Sequence, residues 1–546
     1  MTKEHKEHKE HSKTIKNLVQ KSNNGNLLSM FQLFENYSSG KYVEKKDDTL
    51  ASQYLNKLNS NLANTKFKLK SIDLHEFRRF RNLKIDFDKN ITAIIGDNGA
   101  GKTSIAEALA KVLSWFNNNL IKSNTSAKRI IDFDVNVNAD DYSEIIGQFE
   151  FDKKNKFSLS LAHPIMGYSG DITNKVATSK QIGDMYRLLS ENSSISIPLF
   201  VFYSVERANL KLPKFSIEKA LKDNKHTRFS SLKDGLEASA QLEDFSNRYI
   251  ELVNLAEGEE SEDIKKSKTL IKYLEEIIKK VHPESQPPED DNLVIQLKSE
   301  KENLAQLSDA KSTIFQKSLD LINIAIETLV PDVKNLRVDR STGQPRILVD
   351  NFSNLINITQ LSQGQKTLVA LTGDLALRLS ILNSNAENPL HGHGIVIIDE
   401  IELHLHPRWQ QEIILGLVNT FPNLQFIVTT HSPQVLSTLD NNCIRQIYLD
   451  KQGEPKIKTP QFQTKGVTSA SILARIMKTD STPQKIPEAE LVKQFYANVT
   501  KGKHEELTKL LERITAHFGE EHPVTKECSE TLKVNELKRK YLTIKE

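Results

Sequence analysis

Cysteine is nearly absent: Cys443 and Cys528 are the only two in 546 residues. They stand far apart and share no metal-ligand spacing, so neither a disulfide framework nor a zinc site holds this chain together. A reducing compartment, the cytoplasm, is expected. No apolar run approaches the ~18 residues that a bilayer span needs, so no membrane contact is expected either. Residues 3–11 repeat Lys-Glu-His three times and contain no apolar h-region, so no secretory leader is expected. An excess of one charge is also lacking. The 74 Lys and Arg against 71 Asp and Glu leave +3, which removes bulk charge as an argument for nucleic-acid binding and leaves room only for a local basic patch. What is present, 38% hydrophobic and 27% charged residues, suits a wet-surfaced protein of two to four domains.

Gly96-Asp97-Asn98-Gly99-Ala100-Gly101-Lys102-Thr103 fits G-x-x-x-x-G-K-[ST] and lies between an apolar run, 91–95, and a helix-like run, 104–114. That strand-loop-helix setting is what a phosphate cradle needs. The glycines let backbone N–H groups turn around ATP, Lys102 reaches the β and γ phosphates, and Thr103 can hold Mg2+. Candidate phosphate-binding residues are therefore Gly96, Asn98, Gly99, Gly101, Lys102, Thr103 and Ser104, the last at the positive end of a helix dipole.

Three further pieces follow. Ser362-Gln363-Gly364-Gln365 opens the helix-like run 366–382, which reads either as an N-cap or as an anion-binding helix start. Gly394-Ile395-Val396-Ile397-Ile398 ends in Asp399-Glu400, a buried strand tipped by two carboxylates. Asp399 would hold Mg2+ and Glu400 would activate the attacking water as general base. Thr429-Thr430-His431-Ser432-Pro433 closes another apolar strand and places His431 for a γ-phosphate contact.

In this order the pieces resemble the soluble branch of the ABC-type ATPases. Residues 399–410, reading Asp-Glu-Ile-Glu-Leu-His-Leu-His-Pro followed by Trp409 and Gln410, are similar to the OLD and RecF-like ATPases, as are Phe77-Arg78-Arg79-Phe80 and the strand 198–203 with Arg207. The resemblance implies an α/β fold with a mixed sheet, an inserted helical arm, a helical N-terminal extension and a helical C-terminal tail. The corresponding boundaries are 1–65, 66–217, 218–331, 332–466 and 467–546, with Pro283, Pro287 and Pro288 interrupting the arm. Residues 25–59 resemble one tetratricopeptide-like hairpin, which has to pack on the ATPase or on a partner. The resemblance further implies a head-to-tail dimer in which Ser362, Gln363, Gly364 and Gln365 act in trans. His404 would lie in the interface loop, Gln148 would be the Q-loop glutamine at the metal, and Phe77 or Arg79 would stack on the base.

Beyond residue 450 the tail has no Asp-x-Asp, so the Toprim nuclease of OLD proteins is not expected. A Toprim-free helical tail makes the chain resemble the PtuA family of Septu anti-phage ATPases, in the version that accompanies retrons. That resemblance implies an ATPase that regulates a separate PtuB-like HNH nuclease and assembles beside a reverse transcriptase and msDNA. The alternative is a RecF-like repair ATPase that binds DNA directly.

Overall fold

The computed structural model describes residues 3–543 apart from 89, 166, 169, 171, 191–194, 206–226, 238–241, 258–261, 282–290, 480–484 and 502–503. Arg207 and the three prolines of the arm lie outside the described residues. The chain divides into two compact units, Met1–Gly466 and Val467–Glu546.

In the larger unit, β1 (Lys68–Phe77) turns back through Arg78 and Arg79 into β2 (Phe80–Asp86). β3 (Ile91–Ile95) is buried at every residue, as a continuous apolar run in a parallel sheet must be. β4 (Tyr142–Glu150) and β5 (Lys156–Pro164) form an antiparallel hairpin beside β1, giving the sheet β2-β1-β4-β5. β6 (Leu199–Tyr203) is again wholly buried. A small antiparallel sheet follows: β7 (Val333–Asp339), β8 (Arg346–Asn351) and β9 (Asn354–Asn357). The chain then returns through β10 (Gly394–Ile398), β11 (Leu424–Thr429), β12 (Ile444–Leu449) and β13 (Pro455–Lys458). The central sheet runs β13-β12-β3-β11-β10-β6, parallel except for β13.

The two larger sheets are joined by rings. Phe116, on the P-loop helix Lys102–Ile121, lies 5.1 Å from Phe67 and 4.9 Å from Phe149 of β4, and Phe67 lies 5.1 Å from Phe200 of β6. All three pairs are edge-on, the arrangement the ring quadrupole favours. The helix that follows the P-loop is thereby packed against both sheets.

Of the arm, only part stands apart from the core. Phe245 and Tyr249 on the helix Leu242–Ala256 are buried, and Phe245 fills the notch left by Gly373 of the signature helix Gln363–Leu382. The helices Glu262–Val281 and Asn292–Leu329 pair with each other, with Lys301 bridged to Glu275 at 2.7 Å. The second has 38 residues and so runs about 57 Å.

At the N-terminus, Leu27–Ser39 and Asp48–Leu62 form a helical hairpin with Tyr37 stacked on Tyr54. It is tied to the ATPase lobe through the β4–β5 turn: Leu27 N–H donates to Asn155 Oδ1 and Asn155 Nδ2 donates to the Gly25 carbonyl. Among its described residues the smaller unit has the short helix Ser469–Arg475 and three longer ones, Pro487–Lys501, His504–Phe518 and Pro523–Thr543, the latter three packed around Phe495, Leu507, Leu510, Ile514 and Cys528. No helix among the described residues is long and apolar enough to cross a membrane.

His393, just before β10, is fully buried with Nε2 unpartnered, and burial beside Lys66 and Lys68 pushes its imidazole down to about 3. The unfolded chain protonates at about 6.5, so unfolding takes up a proton below that pH. This contribution to stability is complete above about pH 6.5 and is lost as pH falls toward 3, at about 1.4 kcal/mol per pH unit. Thermal midpoints measured from pH 7 to 4 should fall more shallowly in His393→Leu than in the parent. Parallel curves would refute the assignment.

Candidate nucleotide site

β3 delivers the P-loop at the carboxyl end of the central sheet, where open α/β sheets bind ligands. Gly101 has φ +99°, and an added Cβ would stand 2.4 Å from the Phe80 ring. Only glycine meets both constraints. Gly99, at φ +73°, faces open space, and Asp97 and Asn98 are exposed. Lys102 is only 6% exposed, and its ammonium donates to the carbonyls of Gly96 at 2.9 Å and Asp97 at 3.1 Å. Burial lowers its pKa, with Asp399, Glu400, Glu402 and Asp97 opposing. A buried ammonium held by two carbonyls and facing carboxylates is suited to exchange them for phosphate oxygens.

β10 and β11 bring the second half of the site. Thr103 Oγ1 donates to Asp399 Oδ2 at 2.8 Å, and Thr429 Oγ1 donates to Asp399 Oδ1. The hydroxyl and carboxylate that would hold Mg2+ are therefore already in contact, and the donor set fits a hard, oxygen-liking cation. Glu400 follows at φ +47°, its N–H donating to Thr429 Oγ1 at 2.8 Å. His404, four residues on, is also left-handed at φ +64°. Two such non-glycine residues cost roughly 1–3 kcal/mol each, a concentration of strain found at functional loops.

His431 sits at the tip of β11 with its N–H on Glu402 Oε1. Burial first, then Lys102, lowers its pKa against the pull of Glu402 and Glu400, so its imidazole is neutral near pH 7. Glu402 joins this cluster without having been singled out by its motif. It stands two residues after Glu400, where the strand has ended and the chain turns back.

Arg78 pins the β1–β2 hairpin to the P-loop helix through Glu107 and to buried Asp134 at 3.0 Å, while Lys111 holds Asp134 at 2.8 Å. Exposed Arg79 lies over Gly101, its Cδ 2.9 Å from where a Cβ there would be. Phe77 is fully buried and therefore does not stack on a base.

Gln148 does not join the site. The strand begins at Tyr142, so Gln148 is mid-strand, registered with Ser71 and Ser158. Ile145, Gly147 and Phe149 take the buried face, where Gly147 meets Val112 of the P-loop helix, and the pleat turns Gln148 to the other side. The segment that does adjoin Asp399 is the end of β6: Asp399 N–H donates to the Tyr203 carbonyl at 2.8 Å.

At the signature, Ser362 caps its helix in a capping box with Gln365. Gln365 is buried and also donates to the Pro331 carbonyl, so it is a structural residue. Gly364 is buried too; an added Cβ would come within 2.6 Å of the His404 carbonyl and 3.0 Å of the Trp409 ring. Ser362 and Gln363 are exposed, and the hydrogen bonds of the Ser362 side chain run to Gln365.

A P-loop and a Walker-type acidic strand on one central sheet, with Ser362 and Gln363 exposed at the start of a buried helix, define an ABC-type ATPase fold. Residues 91–437 match the family described as "AAA domain, putative AbiEii toxin, Type IV TA system". The chain is 32% identical over 497 residues to "Retron Vc95 probable ATPase" of Vibrio cholerae, covering 89% of this chain and 94% of that protein. It is 30% identical over 519 residues to "Retron Ec83 probable ATPase" of Escherichia coli, covering 92% and 93%. "Septu protein PtuA" of Bacillus mycoides is 25% identical over 412 residues, 74% of this chain and 44% of that protein. The chain belongs to the retron-associated, PtuA-type family of ATPases.

Proposed function

We propose that this chain is the ATP-binding and ATP-hydrolysing regulatory subunit of a retron-type anti-phage complex, and that it works as a head-to-tail dimer controlling an HNH nuclease carried on a separate chain. In this reading Lys102 and the P-loop amides hold the phosphates, Thr103 and Asp399 hold Mg2+, Glu400 takes the proton of the attacking water, and neutral His431 donates to the γ-phosphate. Bound Mg2+ would neutralise charge on the phosphates. The reading rests on one observation above all. Ser362 and Gln363 are exposed at a helix start, and the Ser362 side chain bonds only to Gln365 of its own capping box, so both residues face outward toward a nucleotide held by another protomer. A reverse transcriptase with its msDNA is the further partner class, following the retron names of the relatives. Nucleotide loss or hydrolysis would open the dimer and release the nuclease.

The test is mass in solution with and without a non-hydrolysable ATP analogue, in the parent and in Ser362→Arg. The parent should shift from a smaller to a larger species on adding the analogue, and the variant should bind the analogue yet fail to shift. Hydrolysis at full rate by a particle that stays monomeric would rule out the composite site. When the ATPase is co-expressed with an HNH nuclease of the proposed kind, the two should co-purify.

A further inference from the structure

The loop from Glu400 to Leu405 carries a third carboxylate that the proposed chemistry leaves unused. Glu402 is placed by its surroundings and not by its own motif. Ile401 N–H donates to the Thr429 carbonyl at 3.1 Å, and Leu405 N–H donates to the Glu402 carbonyl at 2.9 Å, so the loop is stitched to the end of β11 and closed on itself. Glu402 Oε1 accepts the N–H of His431. Its other oxygen, Oε2, is buried and has no hydrogen-bond partner within the chain. Leaving a buried carboxylate oxygen unmatched costs more than an ordinary lost hydrogen bond. The P-loop ammonium of Lys102 and the imidazole of His431 both feel the Glu402 charge. A structural carboxylate would be expected to use both oxygens. One that holds the His431 backbone with one oxygen and keeps the other buried and unpartnered, beside the residues that follow Glu400, has the arrangement of a group that completes its bonding when substrate arrives.

We propose that Glu402 is a positioning residue of the ATP site: Oε1 fixes the main chain of His431, and Oε2 accepts a hydrogen bond from the water that attacks the γ-phosphate, orienting it toward Glu400. Glu400 remains the base that removes the proton. Glu402 supplies direction and, through the His431 amide, sets the distance between the imidazole and the γ-phosphate. The requirement is for an acceptor at Oε2. An amide nitrogen there would present donors to a water that must give up its proton elsewhere, and would misalign it.

This inference rests on the ATPase reading above, and the experiment separates the two. Glu402→Gln keeps an acceptor for the His431 N–H and replaces Oε2 by a donor, whereas Glu402→Ala removes both. Three quantities are measured in each purified full-length protein: affinity for ATP analogue and for ADP, steady-state turnover, and hydrogen exchange at the His431 amide without nucleotide. Glu402→Gln should keep both affinities within threefold and keep the His431 amide protected, while turnover falls about tenfold or more. Glu402→Ala should lose the amide protection and weaken the ATP analogue relative to ADP. Turnover by Glu402→Gln within twofold of the parent would overturn the role of Oε2. An equally protected His431 amide in Glu402→Ala would overturn the role of Oε1. Failure of the parent itself to bind ATP would overturn the ATPase reading instead, independently of either variant.

Discussion

Glu400→Gln is expected to slow ATP turnover by about 10²- to 10⁴-fold, the range that a positioned general base contributes, while ATP affinity stays within a few-fold of the parent. The reason is geometric. The bond that holds Glu400 in its left-handed conformation is made by its backbone N–H to Thr429 Oγ1. An amide side chain leaves that bond, and with it the position of the loop, in place. The Thr103–Asp399 hydrogen bond, the pair proposed to hold Mg2+, is likewise untouched. Binding and chemistry should therefore separate, and the ATP-loaded assembly should accumulate because its exit step is blocked. Phosphate release in a single turnover, beside analogue titration, measures both. Hydrolysis at the parental rate would remove Glu400 from its assigned role.

The second large effect concerns stability. Asp374 on the signature helix is buried among Arg378, Arg248 and Tyr203: Arg378 Nε at 2.8 Å, Arg248 at 3.0 Å and the Tyr203 hydroxyl at 2.8 Å. Burial alone would raise its carboxyl pKa, but Arg378 and Arg248 hold it below the usual range. Asp374→Ala leaves two buried guanidinium groups without their shared carboxylate and should cost about 3–5 kcal/mol. Urea unfolding followed by circular dichroism should show the lower midpoint. Replacing Arg248, Asp374 and Arg378 together by Met, Leu and Met should recover much of the loss, since an apolar set of similar volume carries no uncompensated charge. An unchanged midpoint in Asp374→Ala would mean that solvent reaches the cluster. The network ties three parts: the strand whose end touches Asp399, the signature helix, and the base of the arm.

The P-loop and the acidic strand beside it were legible because each is a local pattern with one physical reading. A glycine-bounded lysine before a helix and two carboxylates after four buried aliphatic residues leave few alternatives. Gln148 was misplaced for an equally local reason. A Q-loop glutamine belongs at a strand end, but Tyr142 begins the strand, so Gln148 falls mid-strand and the period-two pleat fixes which face it takes. β12 and β13 gave no clear signal: Arg445 and Gln446 of β12 and the lysines of β13, the edge strand beside it, break the apolar pattern. The arm base looked like part of an arm because Phe245, Arg248 and Tyr249 lie in a charged helical stretch. What pulls them into the core is a single notch at Gly373 and one buried aspartate. Glu402 was passed over because its significance lies in a bond to a residue 29 positions away.

β3 carries the P-loop, yet its partners are β11 and β12, at residues 424–429 and 444–449. Thr103 meets Asp399 across 296 residues of chain. A ribosome adding ~5–20 residues per second takes on the order of 15 seconds or more to supply that partner, during which the P-loop strand has neither of its neighbours. The P-loop and Asp399 therefore cannot come together on a partly made chain, and a message cut short before β11 encodes no complete site. Synthesis itself acts as a timer, and the subunit becomes competent only when almost all of the ATPase lobe has been made.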